Sequence, residues 1–522
     1  MSAPHRAKNL HTYGLHTRRN GGGRHIGHSR RDPHQGTQVS HNQARPNILL
    51  IVPDSHRGDS LGCSGNPSVL TPHLDQLARE GVRFTQAITP CAPCMPSRAS
   101  IMTGRYMRSH GLWMNGVSLP KSTPTLGALL LDQGYATAAF GKMHLMPEAP
   151  QQDGADPYLP PEFGFQHAVL CEDFISSGPF RRWLARAYPE LKDVGRRGEA
   201  AADKTPACYA SALPLEAHPV TWITDQFIEW LSSLNDSRPF LAVVGFHEPH
   251  YPFCPPEPFL SQYDQINPPV LPRRNGEMED KPPSHRARLL EGVGDAGLLN
   301  LADSGWQTVL RHYYGQISLV DHAVGRMLKA IDQCGRQQQT LVIYTSDHGV
   351  HVGDHGLLYS SVFHYDGFIR VPLLMRWPEV FPACGTIEGL VQSVDVSATI
   401  LAAAGVPGDA AVQGMDLRMA AIEGQATIRD AALVEQCNGR FDPTNPQRAE
   451  HWVTTLRTDQ YRLSVHREQD LGELYDLHQD PHEFVNLWNQ PQTQAVKAAL
   501  LHRLSDLLLA TSAPLAVRVA DY

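Results

Sequence analysis

The sequence predicts an α/β fold, a large and mostly parallel mixed sheet sandwiched by helices. Three observations predict it. Four short apolar runs, at 47–52, 136–140, 240–246 and 341–346, have the length of buried strands rather than helices. Stretches with helical spacing lie between or beside them, at 72–80, 125–133, 220–234 and 306–333, and strands alternating with helices imply a parallel sheet. A length of 522 residues is enough to bury one large core or two unequal ones.

Along the chain, residues 1–44 are rich in His, Arg, Gly and Asn and contain one acid, Asp32, so they cannot bury enough surface to fold and read as a disordered tail. Neither Arg18-Arg19 nor Arg30-Arg31 is followed by an apolar segment, so no export signal is visible. A cytoplasmic setting is expected, with a periplasmic or secreted one only if the start were assigned differently. No run reaches the roughly 20 apolar residues needed to cross a bilayer. A net charge of −8 leaves no basic surplus for nucleic acid. The nine cysteines form an odd, scattered set that suggests neither a disulfide framework nor a zinc knuckle. Residues 148–215 and 252–300 are dense in Pro, Gly and charge without period, and read as long excursions over one rim.

The polar residues just beyond each strand carry the functional reading. The first strand runs into Asp54, the second into Lys142 and His144, the third into His247, Glu248 and His250, and the fourth into Asp347 and His348. In open α/β sheets ligands bind beyond the carboxyl ends of the strands. Taken singly, each of these residues could be a helix cap or a satisfied loop residue; four polar strand ends together are not explained by capping. Asp54 and Asp347 supply hard oxygens suited to Ca²⁺ or Mg²⁺. His348 widens the choice of divalent metal towards Mn²⁺ or Zn²⁺. Lys142, His144 and His250 supply donors around a tetrahedral oxyanion. A metal with such donors suggests ester hydrolysis at sulfur or phosphorus. That set lacks a nucleophile.

The segment Cys91-Ala-Pro-Cys94-Met-Pro96-Ser97-Arg98, followed by Thr103-Gly104-Arg105, resembles the signature of the sulfatase family, C-x-P-S-R and then T-G-R. The plain alternative is a buried structural cysteine opening a helix. The resemblance extends over nearly the whole chain from residue 46. It includes Gly141-Lys142-Met143-His144, Pro249-His250, Thr345-Ser346-Asp347-His348-Gly349, Tyr365-Asp366 and Glu473-Leu-Tyr-Asp-Leu477. It implies membership of the alkaline phosphatase superfamily, likeness to bacterial arylsulfatases, and a smaller C-terminal α+β subdomain built on an antiparallel sheet. The implied division is a tail at 1–44, a catalytic domain at 45–425 and the subdomain at 426–522.

By the same resemblance Cys94 is oxidised to formylglycine, whose hydrate attacks sulfur. Asp54, Asp347, His348 and the modified Cys94 coordinate the metal, with calcium the first expectation. Arg98 and Lys142 orient the formylglycine, His144 acts as base, and His250 donates to the leaving oxygen. The implied partners are a small-molecule or carbohydrate sulfate ester and a transient formylglycine-generating maturation enzyme, with no membrane or nucleic acid. Homo-oligomerisation stays open.

Two departures stand out. Ser55 replaces a second aspartate of many relatives, and Ser360 stands where relatives usually place a sulfate-holding lysine. Loss of that charge-assisted contact is worth ~1.5–3 kcal/mol of binding, which His351, His355 or His364 could offset. The leading expectation is a sulfatase. The alternatives are a phosphodiesterase or phosphonate monoester hydrolase of the same superfamily, pointed to by His348, and a degenerate anion-binding relative, pointed to by Ser360.

Overall fold

The computed structural model describes residues 45–147, 159–172, 178–235, 237–274, 276–283, 285, 301–359, 362–378, 380–406, 411–424, 428–438, 451–467 and 471–512. The expected tail at 1–44, the boundary at 425–426 and Ser360 lie outside the described residues.

Eight strands form the large sheet: β1 (Asn47–Val52), β2 (Val82–Ile88), β3 (Ala136–Gly141), β4 (His167–Leu170), β5 (Phe240–Gly245), β6 (Thr340–Thr345), β7 (Arg370–Arg376) and β8 (Gly385–Gln392). Their spatial order is β8-β2-β7-β6-β1-β5-β3-β4. β7 runs against both of its neighbours, and every other pairing is parallel, so the sheet is mixed but mostly parallel. The four runs read from the sequence are the four adjacent strands β6-β1-β5-β3, each within one residue of its expected ends. All residues of these four are buried, as strands covered on both faces must be.

Alternation along β1 sorts the layers, because successive side chains of a strand point to opposite faces. Ile48, Leu50 and Val52 join a core with Met95 and Ala99 of α2 (Cys94–Thr103), Leu126 and Leu130 of α3 (Leu126–Asp132) and Ile400 of α6 (Val394–Ala403). Leu49 and Ile51 face Leu74 and Leu77 of α1 (Pro72–Arg79), Phe227 of α4 (Pro219–Ser233) and Val320 and Met327 of α5 (Asp303–Gln333). Each fully buried Leu, Ile or Val contributes roughly 1.5–3 kcal/mol, so the two layers fix the strand tips firmly. Local chemistry sets the helix starts: the Thr125 hydroxyl accepts the Ala128 N–H at 3.3 Å, and Pro72 and Pro219 open their helices where no N–H is needed.

Four antiparallel strands, β9 (Ala431–Asn438), β10 (His451–Thr458), β11 (Tyr461–His466) and β12 (Glu473–Asp476), form a smaller sheet in sequential order. Leu433, Leu456, Leu463 and Leu474 pack there with Leu504 of α7 (Gln494–Ala510). The two excursions have more structure than their composition suggests. Their described parts hold a helix, Pro179–Ala187, and a strand pair, Arg197–Ala200 with Tyr209–Ser211. Among the described residues no helix is long and apolar enough to cross a membrane.

Candidate active site

Because β6, β1, β5 and β3 are adjacent and share one direction, their carboxyl ends open onto the same edge. The start of α2 meets that edge. Pro93 is extended and Cys94 is the first helical residue, so Pro96 falls in the first turn, where its missing N–H costs nothing. The helix ends at Gly104, with φ 65°, where a Cβ would lie 2.9 Å from Val412 and 3.0 Å from Ser397. That left-handed stop accounts for the glycine of the T-G-R run.

Ser97 and Arg98 bind this helix to the strand tips. The Ser97 hydroxyl donates to the Asp347 carbonyl at 2.6 Å. Arg98 Nε donates to Asp347 Oδ2 at 2.8 Å, Nη1 to the Lys142 carbonyl at 2.9 Å and Nη2 to the Val52 carbonyl at 3.3 Å. One guanidinium therefore ties three tips together.

Cys94 Sγ is 3.1 Å from His348 Nε2 and 3.8 Å from Asp54 Oδ1. The ligand atoms of Asp54, Cys94, Asp347 and His348 all lie within 4.8 Å of one another, and all four residues are buried. His348 Nδ1 is 2.7 Å from the Gly349 carbonyl, which can only accept, so Nδ1 keeps its proton and Nε2 faces the cluster. Lys142 Nζ pairs with Asp54 Oδ2 at 2.7 Å. Ser55, at φ 68°, donates its N–H to Asp347 Oδ1 at 3.1 Å and its hydroxyl to Asp54 Oδ1 at 2.8 Å. In place of a second aspartate it braces both acids.

Burial would raise the Asp54 carboxyl, but Lys142, His250, His348 and Arg98 hold it well below the usual range. Asp347 is raised by burial, which Arg98 offsets in part. Burial opposes a charge on His348, yet Asp347, Cys94 and Asp54 push it up to about 10. A pocket that charges its own imidazole is one whose potential favours a cation. Two carboxylates and an imidazole whose inward Nε2 would exchange its proton for a metal fit a divalent ion. The neighbouring imidazoles behave oppositely. His250 falls to about 4, through burial with Lys142 adding to it, and burial with Lys142 and Arg98 holds His144 well below 6.5.

Residues 46–406 match the family model described as sulfatase, about two thirds of the chain. The chain belongs to the sulfatase family. As a sulfatase it is an enzyme of the sulfuric ester hydrolase class, with the fold of the alkaline phosphatase superfamily. Residues 353–509 match a second model, N-sulphoglucosamine sulphohydrolase, C-terminal. An arylsulfatase of Clostridium perfringens is 27% identical, over 86% of this chain and 91% of its own. A multifunctional alkaline phosphatase superfamily protein of Trinickia caryophylli is 29% identical, over 88% and 96%. The crystal structure of a phosphonate monoester hydrolase of Agrobacterium radiobacter superposes with a TM-score of 0.76 at 26% identity, covering 90% of this chain and 96% of that one.

In this sulfatase the structure also brings in residues that the strand-end reading passed over. Glu172 lies two residues past β4, inside an excursion that looked patternless. Its Oε1 accepts the Met143 N–H at 3.1 Å, and both oxygens accept the His144 N–H at 3.0 Å. His144 sits at φ 52°, so this carboxylate holds the Lys142–His144 loop in a conformation that L-residues adopt rarely. The His247 ring bonds the Glu172 carbonyl, and Glu248 pairs with Arg196 at 3.4 Å. Recognising β4 as a strand would have pointed to Glu172.

His364 is not free to replace a missing lysine. Its nitrogens lie 2.8 Å from the Thr455 hydroxyl and 3.0 Å from Gln436 Oε1, so it belongs to the smaller sheet. His351 is paired with Asp354 at 2.8 Å, and His355 with Glu277. Cys91 and Cys94 have the C-x-x-C spacing, but the Cys91 thiol lies 3.4 Å from Met107 Sδ while Cys94 faces His348.

Proposed function

We propose that this sulfatase hydrolyses a sulfate monoester of an aryl, alkyl or carbohydrate alcohol, with a hydrated formylglycine at position 94 as nucleophile and a divalent cation beside it. The observation that carries the reading is Cys94 at the first position of a buried helix, 3.1 Å from His348 Nε2 and 3.8 Å from Asp54 Oδ1. Asp54, Asp347, His348 and the modified residue 94 would hold the cation, Ca²⁺ first among Ca²⁺, Mg²⁺, Mn²⁺ and Zn²⁺. Bound there, it would polarise the ester oxygens as a Lewis acid. A maturation enzyme would supply the oxidant that turns Cys94 into the aldehyde. In the same reading residues 45–425 form the catalytic domain and 426–522 the smaller subdomain.

The chain's own residues then divide the work. One hydroxyl of the hydrate passes its proton to Asp347 as its oxygen attacks sulfur, and the bond from sulfur to the leaving oxygen breaks. His250 donates to that oxygen, a contribution typically worth ~10²–10⁴-fold. Burial and Lys142 keep its proton affinity low in the ligand-free site, and the negative charge of a bound ester would raise it. His144, a neutral imidazole beside Lys142, takes the proton of the second hydroxyl, the bond to sulfate breaks and the aldehyde re-forms. Arg98 and Lys142 hold the acids and the nucleophile in register.

The test compares an aryl sulfate with a phosphodiester of the same leaving alcohol, on protein co-produced with a maturation enzyme. Faster sulfate turnover supports the reading, and peptide mass spectrometry across residues 83–98 must find the aldehyde. Preferential turnover of the phosphodiester would instead favour the phosphonate hydrolase reading, which the 26% identical phosphonate monoester hydrolase supports. An unmodified thiol with no turnover in the native host would favour a binding protein.

A further inference from the structure

A second group of metal-ligating side chains lies under the smaller sheet and shares no residue with the first. Glu473 pairs with Ser464 across β11 and β12, so His466, two residues along, projects on the same face. His466 Nε2 is 2.8 Å from Glu473 Oε2. His285, brought in from the excursion that precedes α5, puts its Nε2 3.6 Å from the same oxygen, too far for a hydrogen bond. The three ligand atoms lie within 4.8 Å of one another.

Two features set this group apart from an ordinary buried polar cluster. His285 is 0% exposed, yet among the described residues neither of its ring nitrogens has a hydrogen-bond partner. Buried polar atoms of this kind are rare and call for a reason. In addition, Glu473 is already oriented. Its Oε1 accepts the Tyr475 hydroxyl at 2.9 Å and Arg462 Nη2 at 3.3 Å, which turns Oε2 towards the two histidines. Arg462 is itself engaged through Nε by Glu483. This is the arrangement in which an outer partner fixes a metal-binding carboxylate.

We propose that His285, His466 and Glu473 bind a structural zinc ion. Two imidazoles and one carboxylate oxygen suit zinc and leave a fourth tetrahedral position for water, whereas calcium and magnesium prefer oxygen ligands throughout. The ion staples the 276–285 segment to β11 and β12. Lys281 already docks that segment, through the Tyr475 hydroxyl and the Glu483 carbonyl, both at 2.8 Å.

The experiment uses the full chain carrying Cys94→Ala and His348→Gln, which strips the first cluster of the ligands zinc prefers and keeps Asp54 paired with Lys142 and Asp347 with Arg98. After chelation and dialysis it is titrated with zinc. One tightly held equivalent is expected, with an X-ray absorption spectrum of two imidazoles and one carboxylate, and a thermal midpoint raised by zinc. His285→Gln and Glu473→Gln added to this background should abolish the tight equivalent and the zinc-dependent midpoint. The spectrum of the unmodified background decides the matter even if those variants fold poorly. No tight zinc in the background would overturn the proposal, as would zinc retained undiminished by His285→Gln, the result expected if the His-rich residues 1–44 were the binder.

Discussion

Arg98 offers the sharpest test of how the site is held. Arg98→Ala removes a guanidinium that donates to Asp347 and to the carbonyls of Lys142 and Val52. Asp347 is 0% exposed and would be left with no cation at 2.8 Å. Breaking one side of a buried pair costs ~3–5 kcal/mol. The two carbonyls add to that figure only where water cannot reach them, so ~4 kcal/mol is a fair centre. Calorimetry or denaturant unfolding of the purified variant reads this directly. The same argument fixes a second observable: calcium in the medium should restore more stability to Arg98→Ala than to the parent, because a cation beside Asp347 replaces part of the lost charge. Arg98→Lys should recover some of the charge but not the three-way tie. A variant as stable as the parent, or one indifferent to divalent ions, refutes the reasoning.

Three further outcomes are expected. Cys94→Ser should release one equivalent of alcohol per chain and then stop, because a serine ester lacks the second hydroxyl that expels sulfate; a burst experiment with mass spectrometry of the trapped ester checks it. Glu172→Gln keeps one acceptor for the Met143 and His144 N–H groups but loses the charge, so kcat should fall about tenfold, some 1.4 kcal/mol, with KM little changed in steady-state kinetics. Acid stability should drop steeply below pH 6.5, because burial lowers His56 to about 4 and His110, His218 and His364 to about 3. Between pH 6.5 and 4 the unfolded chain binds these protons and the folded chain does not. Each group therefore removes up to ~1.4 kcal/mol per pH unit as pH falls, and urea midpoints measured across that window should track the loss.

The sequence shows the centre of this molecule better than its margins, for physical reasons. β6, β1, β5 and β3 are buried on both faces, so each must be a continuous apolar run, and their parallel course places the polar residues beyond them at the same edge. Asp54, Lys142, His250 and Asp347 were therefore visible. The antiparallel course of β7 was not, since Arg370–Arg376 reads like any other buried strand and direction leaves no mark on composition. Glu172 was hidden because β4 is only four residues long, too short to register a period. His364 misled for the opposite reason: it lies close in sequence to the site loop, but it is the pairing of β9 with β10 that brings Gln436 and Thr455 to its two nitrogens.

Charge, finally, narrows what the pocket can hold. Arg98 and Lys142 look like anion-binding groups, but each is committed to an acid, at 2.8 Å to Asp347 and 2.7 Å to Asp54. The four charges cancel. In the proposed mechanism any net attraction for an anionic ester would then rest on the divalent cation, less the charge that the nucleophile would develop as it is deprotonated. That leaves about one positive charge, the complement of a monoanion. Sulfate monoesters, phosphodiesters and phosphonate monoesters are all monoanions in neutral water, whereas a phosphate monoester, with a second pKa near 6, is mostly a dianion. The site should therefore separate phosphate monoesters from the other three more sharply than it separates those three from one another. Exchanging Lys142 for methionine would strip one cation from the balance and should weaken binding of all three monoanions together.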